Sequence, residues 1–225
     1  MRPAPDSTAA RRVPPPPARG FTLVELVVAL AVAAVLVGLA VPSFRDLVAA
    51  QRRDAALGAL AGDLRFARSE AIKRAARVGV CARAEAGATG CGTDWSRGWT
   101  VWIDGGPTPG TIEPAAGEAE LRVRGPVAEG LALDVRARTA SGMQAPTAFR
   151  AVRFGPRGTS SWRGGGTFRL CARDGAAGEA ADDAAAAVNV SLSGDVRRAR
   201  EDGSGAPIDA FGMPVSCAPA EAEAA

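Results

Sequence analysis

Histidine is absent from all 225 residues, which removes the side chain most often used as a general base or a metal ligand. The chain also has no C-x-x-C pair, no paired-carboxylate motif, no nucleophile elbow and no cofactor fingerprint. Hydrolytic, metal-dependent and nucleotide-dependent chemistry therefore has no residues to carry it. The run Gly164-Gly165-Gly166 lacks the following Lys-Ser/Thr and helix of a phosphate loop and reads as a turn. We expect no enzyme, no cofactor and no metal site. Strong charge is missing as well. The net charge is +3, and residues 1–20 alone account for it, with Arg2, Arg11, Arg12 and Arg19 against Asp6. A strongly basic surface over the whole domain is not indicated.

Charge is almost missing from residues 21–41, a run of 21 residues in which Glu25 is the single ionisable group. At about 1.5 Å per helical residue the run spans roughly the 30 Å hydrocarbon core of a bilayer. A carboxylate costs about 2.5 to 3.5 kcal/mol at mid-bilayer and less near the interface, so Glu25 calls for a partner. A cut after Gly20 would supply one, the new α-amine of Phe21 on the same or a neighbouring copy. An ordinary secretory signal fits poorly: its apolar region is about 7 to 15 residues and ends at an A-x-A-like site. This run is longer, carries Glu25 and reaches Pro42 without such a site. By the positive-inside rule the basic leader keeps the N-terminus in the cytoplasm, and the rest of the chain is exported.

RGFTLVEL, residues 19–26, resembles the prepilin signature of type IV pilins and type II secretion pseudopilins. There a basic leader ends in Gly, Phe follows, and Glu stands at the fifth mature position. The resemblance implies cleavage between Gly20 and Phe21 by a prepilin peptidase, N-methylation of Phe21, and use of Glu25 in docking into a growing filament.

About 180 residues follow Val41, enough for one domain with a real core and a poor fit to two. Leu57, Leu60, Leu64, Ala67 and Ala71 recur at spacings of three and four, with Arg53, Arg65, Arg68 and Arg74 largely off that stripe. Glu70 stands four residues before Arg74 and supports the helix. Gly79 is a plausible stop, and Pro42 with Gly38 should kink the helix where it leaves the membrane. The pattern predicts one long helix over 21–77, bare in its first half and amphipathic in its second.

Short alternating or β-branched runs follow at 78–83, 99–104, 120–124, 131–136, 151–154, 167–172 and 188–193. They predict antiparallel strands, one sheet face of which covers the apolar stripe of the helix. Turns are expected at 105–109, 155–158 and 164–166. An Ala/Asp/Gly-rich insertion at 174–187 and a low-complexity tail at 218–225 are expected to be mobile. The domain reading is a leader 1–20, a helix 21–77 with 21–41 transmembrane, a periplasmic β-rich domain 78–217 and the tail. The fold class is α+β, a long helix on an antiparallel sheet domain.

RSEAIKRAARVGVCAR, DWSRGWTVWIDG, RFGPRG, GTFRLCARD and VNVSLSGDVRRAR are similar to segments of the GspH/FimT group. That group holds the minor pseudopilin H of type II secretion and minor pilins of type IV pili. It implies a pilin-like fold and a low-abundance structural subunit that helps initiate or cap a pilus or pseudopilus. The partners implied are other major and minor pilins or pseudopilins, the prepilin peptidase, the inner-membrane assembly platform and membrane lipid. The location implied is the inner membrane, single-pass, and then the filament tip. The two nearby cysteines and the W-x-x-G-W run favour the type IV pilus members.

Four cysteines suit disulfides in an oxidising compartment such as the periplasm. Three pairings are open, and sequence alone does not choose among them. Cys81 with Cys91 and Cys171 with Cys217 is the pairing we expect. Trp99, Val101 and Ile103 alternate as one face of a strand, so Trp95, Trp99 and Trp102 read as core in preference to a stacking platform. Asn189-Val190-Ser191 matches a glycosylation sequon but lies in an expected strand. DNA binding is the alternative function. Some minor pilins of the group are associated with DNA uptake through a C-terminal G-R-x-R motif, and Arg197, Arg198 and Arg200 follow Gly194. Asp195 stands where the first Arg would be, and an acid there opposes phosphate binding.

Overall fold

Thr22 sets where the first helix begins. Its Oγ1 accepts the Glu25 N–H at 3.2 Å, the first half of a Thr-x-x-Glu capping box. The helix α1, Leu23–Arg74, therefore starts two residues later than expected and leaves Phe21 outside. The computed structural model describes residues 20–85, 90–108, 110–139, 142–144, 151–172 and 185–217, with backbone alone at 37–43, 45–46, 137–139 and 142–144. The leader as far as residue 19, residues 174–184 of the expected insertion and the 218–225 tail lie outside the described residues.

The helix ends three residues before the expected Arg77. The N–H of Ala75 reaches the Ile72 carbonyl at 3.3 Å and that of Ala76 the Ala71 carbonyl at 3.2 Å, with Ala75 at φ 48. This is a Schellman end with alanine in the left-handed position where glycine is usual. Gly79, expected as the stop, instead lies inside the next strand.

The chain divides into two compact units, Met1–Arg45 and Asp46–Ala225. In the second, α1 buries Leu57, Leu60, Leu64, Ala67 and Ala71, the stripe read from spacing. After it come β1 (Val78–Ala82), β2 (Trp99–Ile103), β3 (Glu120–Val123), β4 (Leu131–Thr139), β5 (Gly142–Gln144), β6 (Ala151–Phe154), β7 (Gly166–Ala172), β8 (Ala186–Val190) and β9 (Val196–Arg198). They form two sheets, ordered β3-β2-β1-β6 and β5-β4-β7-β8-β9, with every pairing antiparallel.

The expectation of a single covering sheet is corrected by this topology. Val78, Val80, Val101, Val152 and Phe154 of the first sheet share one core with Leu133, Val135, Phe168, Leu170 and Val188 of the second, and both sheets meet the α1 stripe. Trp95 seals the junction, its ring edge-on to Phe168 at 4.7 Å. β5 and β9 were not legible as strands, since each has only three residues and period-two alternation needs more to register. β8 begins inside the expected insertion and stops before 193, because Ser191 and Gly194 close a turn (Gly194 N–H to Ser191 carbonyl, 2.9 Å).

Trp99 and Val101 face the core, while Trp102 lies on the opposite face of β2 and is nevertheless fully buried. Gly79 is its partner across β1. A Cβ there would stand 2.3 Å from the Trp102 ring, so glycine is required by close approach. Gly79→Ala should lower stability by about 1 to 3 kcal/mol through overpacking. Gly62→Ala, on α1 where a Cβ meets nothing within 4 Å, should raise it by about 0.5 to 1 kcal/mol through helix propensity. Chemical denaturation of the two variants measures both.

Candidate functional site

The N-terminal segment presents apolar surface on every side. Phe21 is 86% exposed, and the large apolar side chains from Leu23 to Leu36 are each more than half exposed. No internal core claims them. The Gly20–Phe21 bond lies in exposed, non-helical backbone just ahead of α1, where an enzyme can reach it. Glu25 is the third residue of the helix and its first-turn acid, a position where the partial positive charge of the helix N-terminus favours an anion. Among the described residues no helix is long and apolar enough to cross a membrane. The side chains of 37–43, within the expected span, lie outside them.

Further along α1, a carboxylate sits on the apolar stripe. Asp63 is fully buried, at the helical spacing of three from Leu60 and four to Ala67. Burying a bare carboxylate there would be prohibitive, and the first sheet compensates. Asp63 Oδ2 accepts from Trp99 Nε1 at 3.0 Å and Arg124 Nε at 2.7 Å, and Oδ1 accepts from Arg122 Nη1 at 2.9 Å and Arg124 Nη2 at 3.3 Å. The Arg122 guanidinium also lies 3.5 Å over the Phe66 ring, a cation–π contact. On the other flank Arg65 donates to the Val196 carbonyl through Nε (3.2 Å) and Nη2 (2.9 Å). Arg68 donates to the carbonyls of Gly158 (3.0 Å) and Ser193 (3.1 Å). One helix thus holds the edge of one sheet by a carboxylate and a hairpin of the other by two guanidinia.

Sequence reasoning missed Asp63, Arg122 and Arg124. Their signal was an acid at stripe spacing, which demands basic partners wherever it packs. Burial pushes the Asp63 carboxyl up, but hydrogen bonds from Arg124, Arg122 and Trp99 outweigh it and hold the group below the ordinary carboxylate range. A depressed folded-state value means that the stabilisation is complete above the unfolded pKa, near 3.9, and is lost as pH falls through the folded one. Asp63→Asn should therefore be less stable at neutral pH, by about 2 to 4 kcal/mol. The gap to wild type should narrow below about pH 4. Urea midpoints measured across pH 3 to 7 check this.

The cysteines are bonded as Cys81–Cys91 and Cys171–Cys217, with Cα separations of 5.7 and 5.6 Å. Among the described residues no group of three or more acidic or cysteine side chains is placed to hold a metal ion. A cavity of about 750 Å³ opens between the Cys81–Cys91 loop and the β3–β4 connection and mixes Arg83, Arg97, Asp94 and Glu120 with Leu131. No single chemistry is selected by that lining.

The arginines considered for DNA are not arrayed toward a ligand. Arg197 pairs with Asp195, and Arg198 pairs with Asp54 of α1. Arg200 is exposed. Gly194 owes its place to packing: at φ 74 it abuts Gly158, whose carbonyl oxygen would lie 1.9 Å from any Cβ. The Asn189 side chain of the sequon donates to the Ile208 carbonyl at 2.9 Å.

The sequence model of the family described as type II transport protein GspH matches residues 56–194, and that of the prokaryotic N-terminal methylation motif matches residues 16–41. No curated protein matches the sequence significantly. Among solved structures, the type IV minor pilin FimU of Pseudomonas aeruginosa strain PAO1 is similar at 20% identity, covering 76% of this chain and 99% of FimU with a TM-score of 0.50. The minor pseudopilin EpsH of the Vibrio cholerae type 2 secretion system is 14% identical over 65% of this chain and 95% of EpsH, with a TM-score of 0.42. The likeness to FimU is one of fold, a long helix set on antiparallel sheets. With the family match covering more than half of its length and the methylation motif ahead of it, the chain belongs to the GspH family.

Proposed function

We propose that this GspH-family chain is a minor pilin or minor pseudopilin, a low-abundance structural subunit that helps initiate or cap a type IV pilus or type II secretion pseudopilus. One observation carries the reading: a single helix, α1, joins a prepilin-type methylation motif to a GspH domain. The subunit is made as a precursor, cut between Gly20 and Phe21 by a prepilin peptidase, and methylated on Phe21. Residues 21–41 hold it in the inner membrane, with the N-terminus cytoplasmic and the domain in the periplasm, until the assembly platform moves it into a filament among other pilins or pseudopilins. The exposed apolar side chains from Leu23 to Leu36 support this. Only lipid or neighbouring helices can cover them without cost.

Glu25 has a physical reason to matter in this scheme. Cleavage places a cationic amine one residue ahead of Thr22, at the positive end of the helix dipole, where it is disfavoured. Glu25, capped at the same helix end, neutralises that charge on its own or an adjacent subunit, and the pair sets the stagger between helices. Glu25→Ala should leave the membrane-bound amount unchanged and lower incorporation into filaments by about tenfold or more, equivalent to roughly 1.4 kcal/mol. Quantifying the subunit in membrane and sheared-filament fractions decides it, and normal incorporation would contradict the proposed role.

A further inference from the structure

Beside the buried Asp63, the flank of α1 is left open. Ala55, Ala56 and Ala59 form one side of a groove of about 340 Å³, and Pro126, Val127 and Ala128, in the link between β3 and β4, form the other. The link is held in place by its backbone. The Arg124 N–H donates to the Trp99 carbonyl at 2.8 Å, and the Val127 N–H donates to the Ser96 carbonyl at 3.0 Å. Between these two bonds Pro126 fixes one backbone dihedral. The groove is therefore preformed: its far wall is tied to the domain, and three alanine methyls on the helix leave the width that longer side chains would fill.

The charge along this groove is of one sign. Arg52 and Arg124 line it, and no acid does. Arg124 and Arg122 share the single negative charge of Asp63, so the cluster keeps one positive charge in excess, on two side chains that are nearly half exposed. Arg124 commits Nε and Nη2 to Asp63, which leaves its Nη1 for another acceptor. Arg52 is exposed and has no ion-pair partner among the described residues. Its near neighbour Asp54 does not serve it, being paired with Arg198 of β9. Alanine methyls between two guanidinia suit a carboxylate flanked by small apolar residues. The methyl surface is covered by apolar atoms, and a guanidinium binds a carboxylate more strongly beside an apolar wall than in open water.

We propose that this groove receives an acidic segment of a neighbouring filament subunit, whose carboxylate is held by Arg52 and Arg124 while small apolar residues beside it lie against Ala55, Ala56 and Ala59. The inference rests on the filament reading above and adds to it one contact and the chemistry of its partner. Subunits joined head to tail meet through two different surfaces. A surface of one charge sign then needs the opposite sign on its neighbour, and the pairing rejects neighbours that lack it. The contact would let this subunit choose which other subunit stands beside it.

Incorporation of full-length variants into sheared filaments, read beside their membrane-bound amount and urea midpoint, tests this. Arg52→Glu should lower incorporation by about tenfold, because attraction becomes repulsion. Arg52→Ala should lower it by about two- to fivefold, and Arg52→Lys, which keeps the charge, should stay near wild type. Ala55→Trp fills the groove from an exposed position and should lower incorporation by about tenfold through steric exclusion. All four should keep the wild-type midpoint and membrane-bound amount. Equal incorporation of Arg52→Glu and Arg52→Ala would show that charge is not read and would overturn the proposal, as would wild-type incorporation of Ala55→Trp. A fall in the membrane-bound amount of Arg52→Glu would assign the arginines to lipid phosphate and overturn it as well. Absence of the wild-type chain from filaments would instead contradict the filament reading itself, which keeps the two failures distinct.

Discussion

Asp63 on α1 is the constraint around which the domain is arranged. A carboxylate placed in the middle of an apolar helix face is intolerable unless its four lone-pair directions are filled, and Trp99, Arg122 and Arg124 fill them. That requirement sets which edge of the first sheet meets the helix, because Arg122 of β3 and Arg124, just past its end, supply the guanidinia. It also sets the register of β2, whose Trp99 must turn its ring nitrogen inward. Arg65 and Arg68, bonded to carbonyls of the β8–β9 hairpin and of the turn after β6, do the same for the second sheet. Apolar burial makes the contact strong, and these polar bonds choose one orientation out of the many that burial alone would accept.

A division of labour along α1 follows. Its stripe from Leu57 to Ala71 packs into the domain core, whereas the large apolar side chains from Leu23 to Leu36 are each more than half exposed. The exposed apolar side chains of its first half are free to make contacts outside the chain. Such an arrangement suits a subunit whose anchor exchanges lipid for neighbouring helices, since both are apolar and neither asks for a specific side-chain match. Specificity at that end falls to charge, and Glu25 is the single charge available in 21–41.

Much of this was legible in the sequence. The Leu57-Leu60-Leu64-Ala67-Ala71 stripe is buried where its spacing put it, and all seven expected strand runs coincide with strands to within about three residues at either end. The N-terminal methylation motif was readable because such motifs are local, and its sequence model matches residues 16–41. What escaped the reading is non-local or short. β5 and β9 are three-residue strands that exist only through partners elsewhere in the chain. The second sheet was folded into the first because alternation says which side of a strand is apolar, not which sheet owns it. Gly79 and Gly194 were assigned to a helix stop and a nucleic-acid motif, and both turned out to be close-approach positions, visible only once Trp102 and Gly158 are beside them.

The central claim is that this chain is a processed filament subunit, and the mass of its N-terminus tests that claim most directly. Protein purified from cells with and without the prepilin peptidase should differ by residues 1–20 and one methyl group. The mature chain should begin at N-methylated Phe21 only when the peptidase is present. An intact leader in both preparations, or a cut near Val41, would contradict the account.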